Sequence, residues 1–325
     1  MDILLNTFVY SIMDKKTITH KIKSFILDQG FDACGICKAE AVDEKNRLAY
    51  NEWLANDYHV DMGYMERNAD KRLDPTLLVE GAKTIIVMAL NYYPKEFQQE
   101  NNPQFAYYAY GKDYHEVVKE KLKTVYEHCR SLDSSIEGRY FCDTAPLLER
   151  YWAAKAGLGW IGKNSLLIIP KRGSYFFLSA LVLNIELEYD DATSKKMPSC
   201  VTCTRCIDAC PTGAIAAPQV IDAQRCLSYQ AIENKGGIDE TIATKMGNRV
   251  YGCDICQQVC PWNRFAVGHD TPEFDPSSDF LSLTEEAIAN MSVEEYQKIF
   301  KGSAIKRAKL SGLKRNIEAL RENKK

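Results

Sequence analysis

The sequence predicts an α/β (α+β) domain, followed by a cysteine-rich module and a helical, basic C-terminal segment. Three observations carry this. Between residues 14 and 190, apolar strand-like runs alternate with stretches of helical period. Eight of the twelve cysteines fall between Cys200 and Cys260. The last 25 residues hold nine Lys or Arg and two Glu, a net +7 in a chain of formal charge −3, which leaves −10 on residues 1–300. With 325 residues, 46% of them apolar, there is material for two or three packed units, and wholesale disorder is excluded. The nearly balanced total also excludes a generic coat for polyanions.

The opening MDILLNTFVYSI is apolar but short, and it places Asp2 where a secretory leader carries positive charge. No small-residue cleavage site follows, so it reads as an extension with Met1 or Met13 as the start. No run reaches the about 18 apolar residues of a membrane span, so no membrane association and a cytoplasmic location are expected. Residues 17–30 place Ile18, Ile22, Phe25 and Ile26 on one helical face closed by Gly30. FDACGIC (31–37) reads as a buried strand, and GAKTIIVMALNYY (81–93), RYFCD (139–143), SLLIIP (165–170) and SYFFLSALVLNIEL (174–187) read as further strands. Helices are expected at 113–130 and 146–156. The polar DDATSKKMPS (190–199) and GHDTPEFDPSSD (268–279) read as linkers, giving units at 1–195, 196–267 and 268–325. In the last unit Ile305, Leu313, Ile317 and Leu320 give the basic tail an apolar helical face. Its cations form either a solvated surface or a phosphate-contacting arm.

Cys200-x2-Cys203-x2-Cys206-x3-Cys210-Pro211 is the bacterial ferredoxin pattern, in which three thiolates cap one cubane and the fourth reaches a second. Cys253-x2-Cys256-x3-Cys260-Pro261 repeats its ending one cysteine short, and Cys226 is the natural replacement. Crossing the fourth ligands assigns Cys200, Cys203, Cys206 and Cys260 to one [4Fe–4S] cluster, and Cys210, Cys226, Cys253 and Cys256 to the other. Zinc ribbons also use paired CxxC motifs, but the triple CxxCxxC and both Cys-Pro endings argue against zinc. Cys34, Cys37, Cys129 and Cys142 read as small buried residues.

Gly157-Leu-Gly159-Trp-Ile-Gly162 matches the dinucleotide fingerprint and, with Lys163, nearly matches a P-loop. Both motifs need a strand before the glycines and a helix after. Here a helix from Pro146 to Ala156, with Thr144 as a possible cap, comes first, so nucleotide binding is rejected. Asp57-Tyr-His59-Val-Asp-Met-Gly63 is one residue too long for a cobalamin-binding DxHxxG motif. Asp143 ends RYFCD just before that helix. It is either a cap, which would lower its carboxyl, or a proton donor, which burial would raise.

RYFCDTAPLLERYWAAKAGLGWIGKNSLLI, the cysteine spacing through YGCDICQQVCPWN, and FKGSAIKRAKLSGLKRN together resemble the epoxyqueuosine reductase family, from about Ile22 to the end. The resemblance implies a cobalamin-binding catalytic domain joined to a ferredoxin-like domain with two [4Fe–4S] clusters. It implies an enzyme that reduces epoxyqueuosine to queuosine at the wobble position of tRNA anticodons, the last step of queuosine biosynthesis. Longer members add helical repeats after the basic segment, and this chain is similar to the short form. By motif, Asp143 takes the proton donor's place, and Arg67 of GYMERN, Lys163, Asn164, Ser165, Leu167 and Leu178 of SYFFL take the corrinoid pocket's. Some relatives carry a cysteine near cobalt just before YAYGKDYH; here the stretch reads NPQFA, so no protein thiolate ligand is expected. The implied partners are tRNA and an external electron donor such as ferredoxin or flavodoxin, acting on a monomer. Lys306, Arg307, Lys309, Lys314 and Arg315 are the candidate tRNA backbone contacts around a splayed wobble base.

Two other readings compete. A reductive-dehalogenase-like corrinoid reductase would usually carry an export signal and has no need of a basic tail. A ferredoxin-like electron carrier predicts iron without cobalt.

Overall fold

The computed structural model describes residues 14–190 and 198–322. Helix α1 (Lys15–Asp28) starts where Asp14 accepts the amide of Thr17, and it stops before Gly30, whose φ of +84° lets the chain turn away. Ile18, Ile22 and Ile26, one per turn, are buried. The apolar runs become β1 (Ala33–Lys38), β2 (Thr84–Asn91), β3 (Gly138–Phe141) and β4 (Phe176–Leu183). They form one sheet in the order β1-β2-β4-β3. Each neighbouring pair is antiparallel, with Ile36 opposite Ile86, Val87 opposite Ala180, and Phe141 opposite Ala180. The strand and helix alternation thus folds as an α+β layer, not as a parallel crossover sheet.

Helices cover both faces of this sheet. On one side α1 and α2 (Tyr114–Leu132) enclose Ile22, Ile86, Leu122 and Leu181. On the other, α3 (Glu149–Lys155) packs Trp152 over Val87 and Val182. All eight residues of β2 are therefore buried, which is why its sequence is apolar without alternation.

Two expected boundaries move. The 146–156 helix begins only at Glu149, and neither Thr144 nor Pro146 lies within it. The cause is local: the Glu149 carboxylate reaches back to accept the Asp143 amide at 2.7 Å, so the chain loops before the helix starts. The strand at 165–170 shrinks to Leu167–Ile168, paired with Trp160–Ile161, because Ser165 turns through a φ of +62°. This hairpin is tight enough that a Cβ at Gly159 would lie 2.0 Å from the Ile168 carbonyl oxygen. The glycine run after α3 therefore serves close strand packing.

Most of the 190–199 boundary lies outside the described residues. The 268–279 stretch is packed, contrary to a free linker: His269 and Phe274 are buried, and the His269 amide donates to the Tyr93 carbonyl at 2.9 Å. Phe274 anchors it to the sheet layer, edge-on to Phe177. A third core joins Leu227 and Ile232 of α4 (Leu227–Ile232), Tyr251, Phe280, Ile305, and Leu313, Ile317 and Leu320 of α5 (Lys309–Glu322). The tail's apolar face is therefore fully used. Among the described residues, no helix is long and apolar enough to cross a membrane.

Candidate active site and cysteine cages

Asp143 stands two residues beyond β3 with a φ of +55°, a left-handed conformation uncommon for a residue with a side chain. Its Oδ2 accepts the Tyr114 hydroxyl at 2.6 Å and lies 3.7 Å from His115 Nε2. Tyr114 and His115 open α2, whose N-cap is Asp113. Asp113 Oδ1 stands 2.7 Å from His115 Nδ1, and its Oδ2 receives Lys306 Nζ at 2.7 Å. A chain of alternating charge thus runs from Lys306 through Asp113 and His115 to Asp143. The Tyr114 ring is fixed between His115 and Phe177, stacked at 4.0 and 4.2 Å. The Asp143 side chain is 60% exposed while that of Asp113 is only 3% exposed, so the chain passes through a buried carboxylate and ends on an open one.

Burial works to raise the Asp143 carboxyl, but the His115 and Tyr114 contacts, with the charges of His115 and Arg150, hold it below its ordinary value. The lowering therefore comes first from α2, with the Arg150 charge of α3 added and no helix cap involved. Glu149 is pushed the other way, up to about 8, by burial and then by the Asp143 charge. For His115, burial is outweighed by Asp113 and Asp143, which lift the imidazole to about 9. Asp113, against its own burial, is drawn down to about 2 by His115 and Lys306. Burial and the neighbouring Asp143 carboxylate raise the Tyr114 phenol far above its ordinary value.

The corrinoid candidates divide. Lys163 Nζ donates to the Val201 carbonyl at 2.9 Å, and Asn164 Nδ2 donates to the Cys256 carbonyl at 3.2 Å, so this loop pins the cysteine module to the catalytic layer. Ser165 presents a buried hydroxyl with no partner among the described residues, and its carbonyl accepts Arg150 at 2.6 Å. Arg67 lies on a separate, exposed turn, and Leu178 is half-buried on β4. Leu167 is only 5% exposed and sits within the α3 core. A cavity of about 700 Å³, walled by Tyr93, Tyr107, Tyr175, Arg249 and Cys253, has none of these candidates in its lining. His59 is buried, with Nε2 held at 2.8 Å by Glu66.

The eight cysteines sort largely into two groups by the charges that act on them, with Cys206 of the first also acting on Cys256 of the second. Burial and then Cys200 and Cys260 push Cys206 up; burial, Cys200 and Cys203 do the same to Cys260. In the second group burial and Cys210 raise Cys226, burial and Cys226 raise Cys253 to about 12, and burial, Cys253 and Cys226 raise Cys256. Among the described residues no three His, Cys, Asp or Glu side chains converge closely enough to grip one ion; a cubane asks for a wider cage, with each thiolate on its own iron. The other four cysteines pack away from both cages. Burial pushes Cys34 up to about 11 and Cys37 and Cys129 up to about 12, and it raises Cys142 further.

The basic tail is mostly occupied. Lys306 is bound to Asp113, and Arg307 forms a double hydrogen bond with Glu233 at 2.9 and 2.8 Å. Arg315 points inward, donating to the carbonyls of Gln230, Asn234 and Gly236. Lys309 is exposed and Lys314 half-exposed, and neither forms an ion pair among the described residues. Sequence reasoning passed over Asp113, Tyr114, His115 and Glu149. The available signal was an ionisable triplet, Asp-Tyr-His, at a helix start.

Residues 72–144 match the family model described as Epoxyqueuosine reductase QueG, DUF1730, and residues 199–263 match that of a 4Fe-4S double cluster binding domain. The epoxyqueuosine reductase of Cellulophaga algicola is 46% identical over 301 residues, covering 92% of this chain and 97% of that protein. The Escherichia coli enzyme of the same name is 37% identical over 91% of this chain and 78% of its own. A solved epoxyqueuosine reductase bound to an epoxyqueuosine-modified tRNA-Tyr stem loop superposes with a TM-score of 0.84 at 31% identity, over 94% of this chain and 80% of that one. The Bacillus subtilis enzyme, solved with its catalytic aspartate loop swung out of the active site, gives 0.84 at 30%, over 94% and 81%. Family models, identity along nearly the whole length and a shared fold agree, and the chain belongs to the epoxyqueuosine reductase family.

Proposed function

We infer that this chain reduces epoxyqueuosine to queuosine at the wobble position of tRNA, with Asp143 passing the proton to the departing epoxide oxygen. The observation that carries this is an open carboxylate at a strand end, fixed by Tyr114 and His115. The relative solved with a modified stem loop supports tRNA as the substrate.

Cys200, Cys203, Cys206 and Cys260 would hold one [4Fe–4S] cluster, and Cys210, Cys226, Cys253 and Cys256 the other; the influence of Cys200 and Cys203 on Cys260, and of Cys226 on Cys253, supports this crossed assignment. Cobalamin would lie against Lys163, Asn164 and Ser165 with Arg67 and Leu178, and with Leu167 behind the first layer of contacts. The unpartnered, buried Ser165 hydroxyl fits a polar ligand. When bound, clusters and corrinoid supply the electrons of the reduction. The chain's own part is positional and protic. Tyr114 aims Asp143, Arg150 ties the Ser165 loop to α3, and Lys163 and Asn164 hold the module in place. Lys309 and Lys314 remain available for phosphate contact, whereas Lys306, Arg307 and Arg315 act within the fold. The reading also takes the chain as a cytoplasmic monomer with units at 1–195, 196–267 and 268–325, supplied by ferredoxin or flavodoxin.

Anaerobic incubation with reductant, cobalamin and epoxyqueuosine-bearing tRNA, followed by nucleoside mass analysis, should show loss of one oxygen. Asp143→Asn should keep about eight irons per chain and its tRNA affinity while turnover falls about 10²–10⁴-fold. Wild-type turnover in that variant would leave Asp143 a purely structural part.

A further inference from the structure

Removing an epoxide oxygen to leave an alkene breaks two C–O bonds, forms one C=C bond and consumes two electrons and two protons, the oxygen leaving as water. The electrons come from a low-potential one-electron donor. Asp143, held as a carboxylate in this arrangement, has no proton of its own to give. Three acidic groups adjoin it. The Tyr114 hydroxyl, 2.6 Å away, holds its proton too tightly to release it. Glu149 retains a proton near neutrality, but its carboxyl engages the Asp143 backbone amide, not the carboxylate. His115 alone among them faces the carboxylate oxygen as a cation, across 3.7 Å.

Resting on the assignment of Asp143 as donor, we propose that His115 is the proton source behind it, with Asp113 and Lys306 as positioning residues. The geometry is that of a loaded relay. Asp113 fixes Nδ1 at 2.7 Å, so the labile proton sits on Nε2, toward Asp143. Lys306 at 2.7 Å keeps Asp113 ionised and in place. In each of two transfers the 3.7 Å gap closes to hydrogen-bond distance, and the Nε2 proton passes to Asp143 and from there to the oxygen, first as one C–O bond opens and again as the second breaks. The neutral imidazole then takes a proton from solvent, to which its side chain is 35% exposed. The charges facing this pair are Asp113 and Glu116 from the start of α2, Glu149 and Arg150 from α3, and Lys306 from the tail. None of the carboxylates other than Asp113 and Asp143 touches the imidazole.

Single-turnover rates of the reconstituted holoenzyme, driven by dithionite with a viologen mediator and an epoxyqueuosine-modified stem loop, test this across pH 6–10. Wild type should lose activity as pH rises through about 9, where His115 deprotonates. His115→Ala should fall at least tenfold, lose that basic limb and recover in proportion to added imidazole, with tRNA affinity unchanged. Asp113→Asn should move the limb to lower pH, and histidine NMR of the labelled protein should show the His115 midpoint falling with it. Glu149→Gln should keep the limb. A His115→Ala enzyme with the wild-type profile and no imidazole response, or an Asp113→Asn limb that does not move, overturns the relay while leaving Asp143 as donor. Full activity in Asp143→Asn would instead remove the assignment beneath it.

Discussion

At the residue scale, the His115–Asp113 pair makes stability depend on pH in a way whose sign is fixed by the two shifts. His115 is raised from 6.5 to about 9, so its contribution is complete below 6.5 and is lost as pH climbs through 9. Asp113 is lowered from 3.8 to about 2, so its contribution is complete above 3.8 and is lost as pH falls through 2. The difference in denaturant midpoint between wild type and His115→Gln should therefore plateau between pH 3.8 and 6.5 and shrink on both sides. A difference that is flat from pH 4 to 10 would show that the pair contributes nothing. Residues of this kind were only half legible in the sequence. The cluster cysteines announce themselves because their spacing is local and chemically specific. Asp143 was found by its place at a strand end, but Tyr114 and His115 come from another helix and Lys306, behind Asp113, from the tail, a meeting that exists only once the sheet has formed.

At the element scale, α5 shows what the basic segment is for. Asn316 is completely buried and donates to the carbonyls of Ala231 and Val250 at 2.9 and 2.7 Å, while its own oxygen accepts Arg315. Replacing it with Ala strands two carbonyls and part of a guanidinium, and should cost roughly 2–4 kcal/mol, read as a lower midpoint in urea with unchanged slope. Periodicity predicted the buried face of this helix correctly, because Leu313, Ile317 and Leu320 recur with the helical repeat. It did not reveal that an asparagine and an arginine on the same helix face inward. A polar residue in a helix reads as solvated until its buried acceptors are known. The start of α3 was missed for a related reason: Pro146 is a good opening residue by propensity, but the Glu149 contact to Asp143 sets the boundary.

At the scale of the whole molecule, charge separation and architecture work together. Residues 1–300 carry −10 and the last 25 carry +7, yet much of that positive charge is spent inside the fold. On the proposed function, the tail's contribution to nucleic-acid affinity would rest on few cations. Lys309→Ala should weaken stem-loop binding across sequences and reduce the slope of log affinity against log salt by about 1, measured by fluorescence anisotropy at several ionic strengths. Arg315→Ala should leave that slope unchanged.

The third core gathers Phe105 and Tyr110 from the sheet domain, Tyr251 from beside the cages and Leu313 from the tail into one packed mass, closed by the Tyr251 hydroxyl on the Ala304 carbonyl at 2.8 Å. Among the described residues the joint is a weld. On the proposed function, an anticodon loop resting on the tail would press on the same packed mass that joins the sheet domain to the cysteine module.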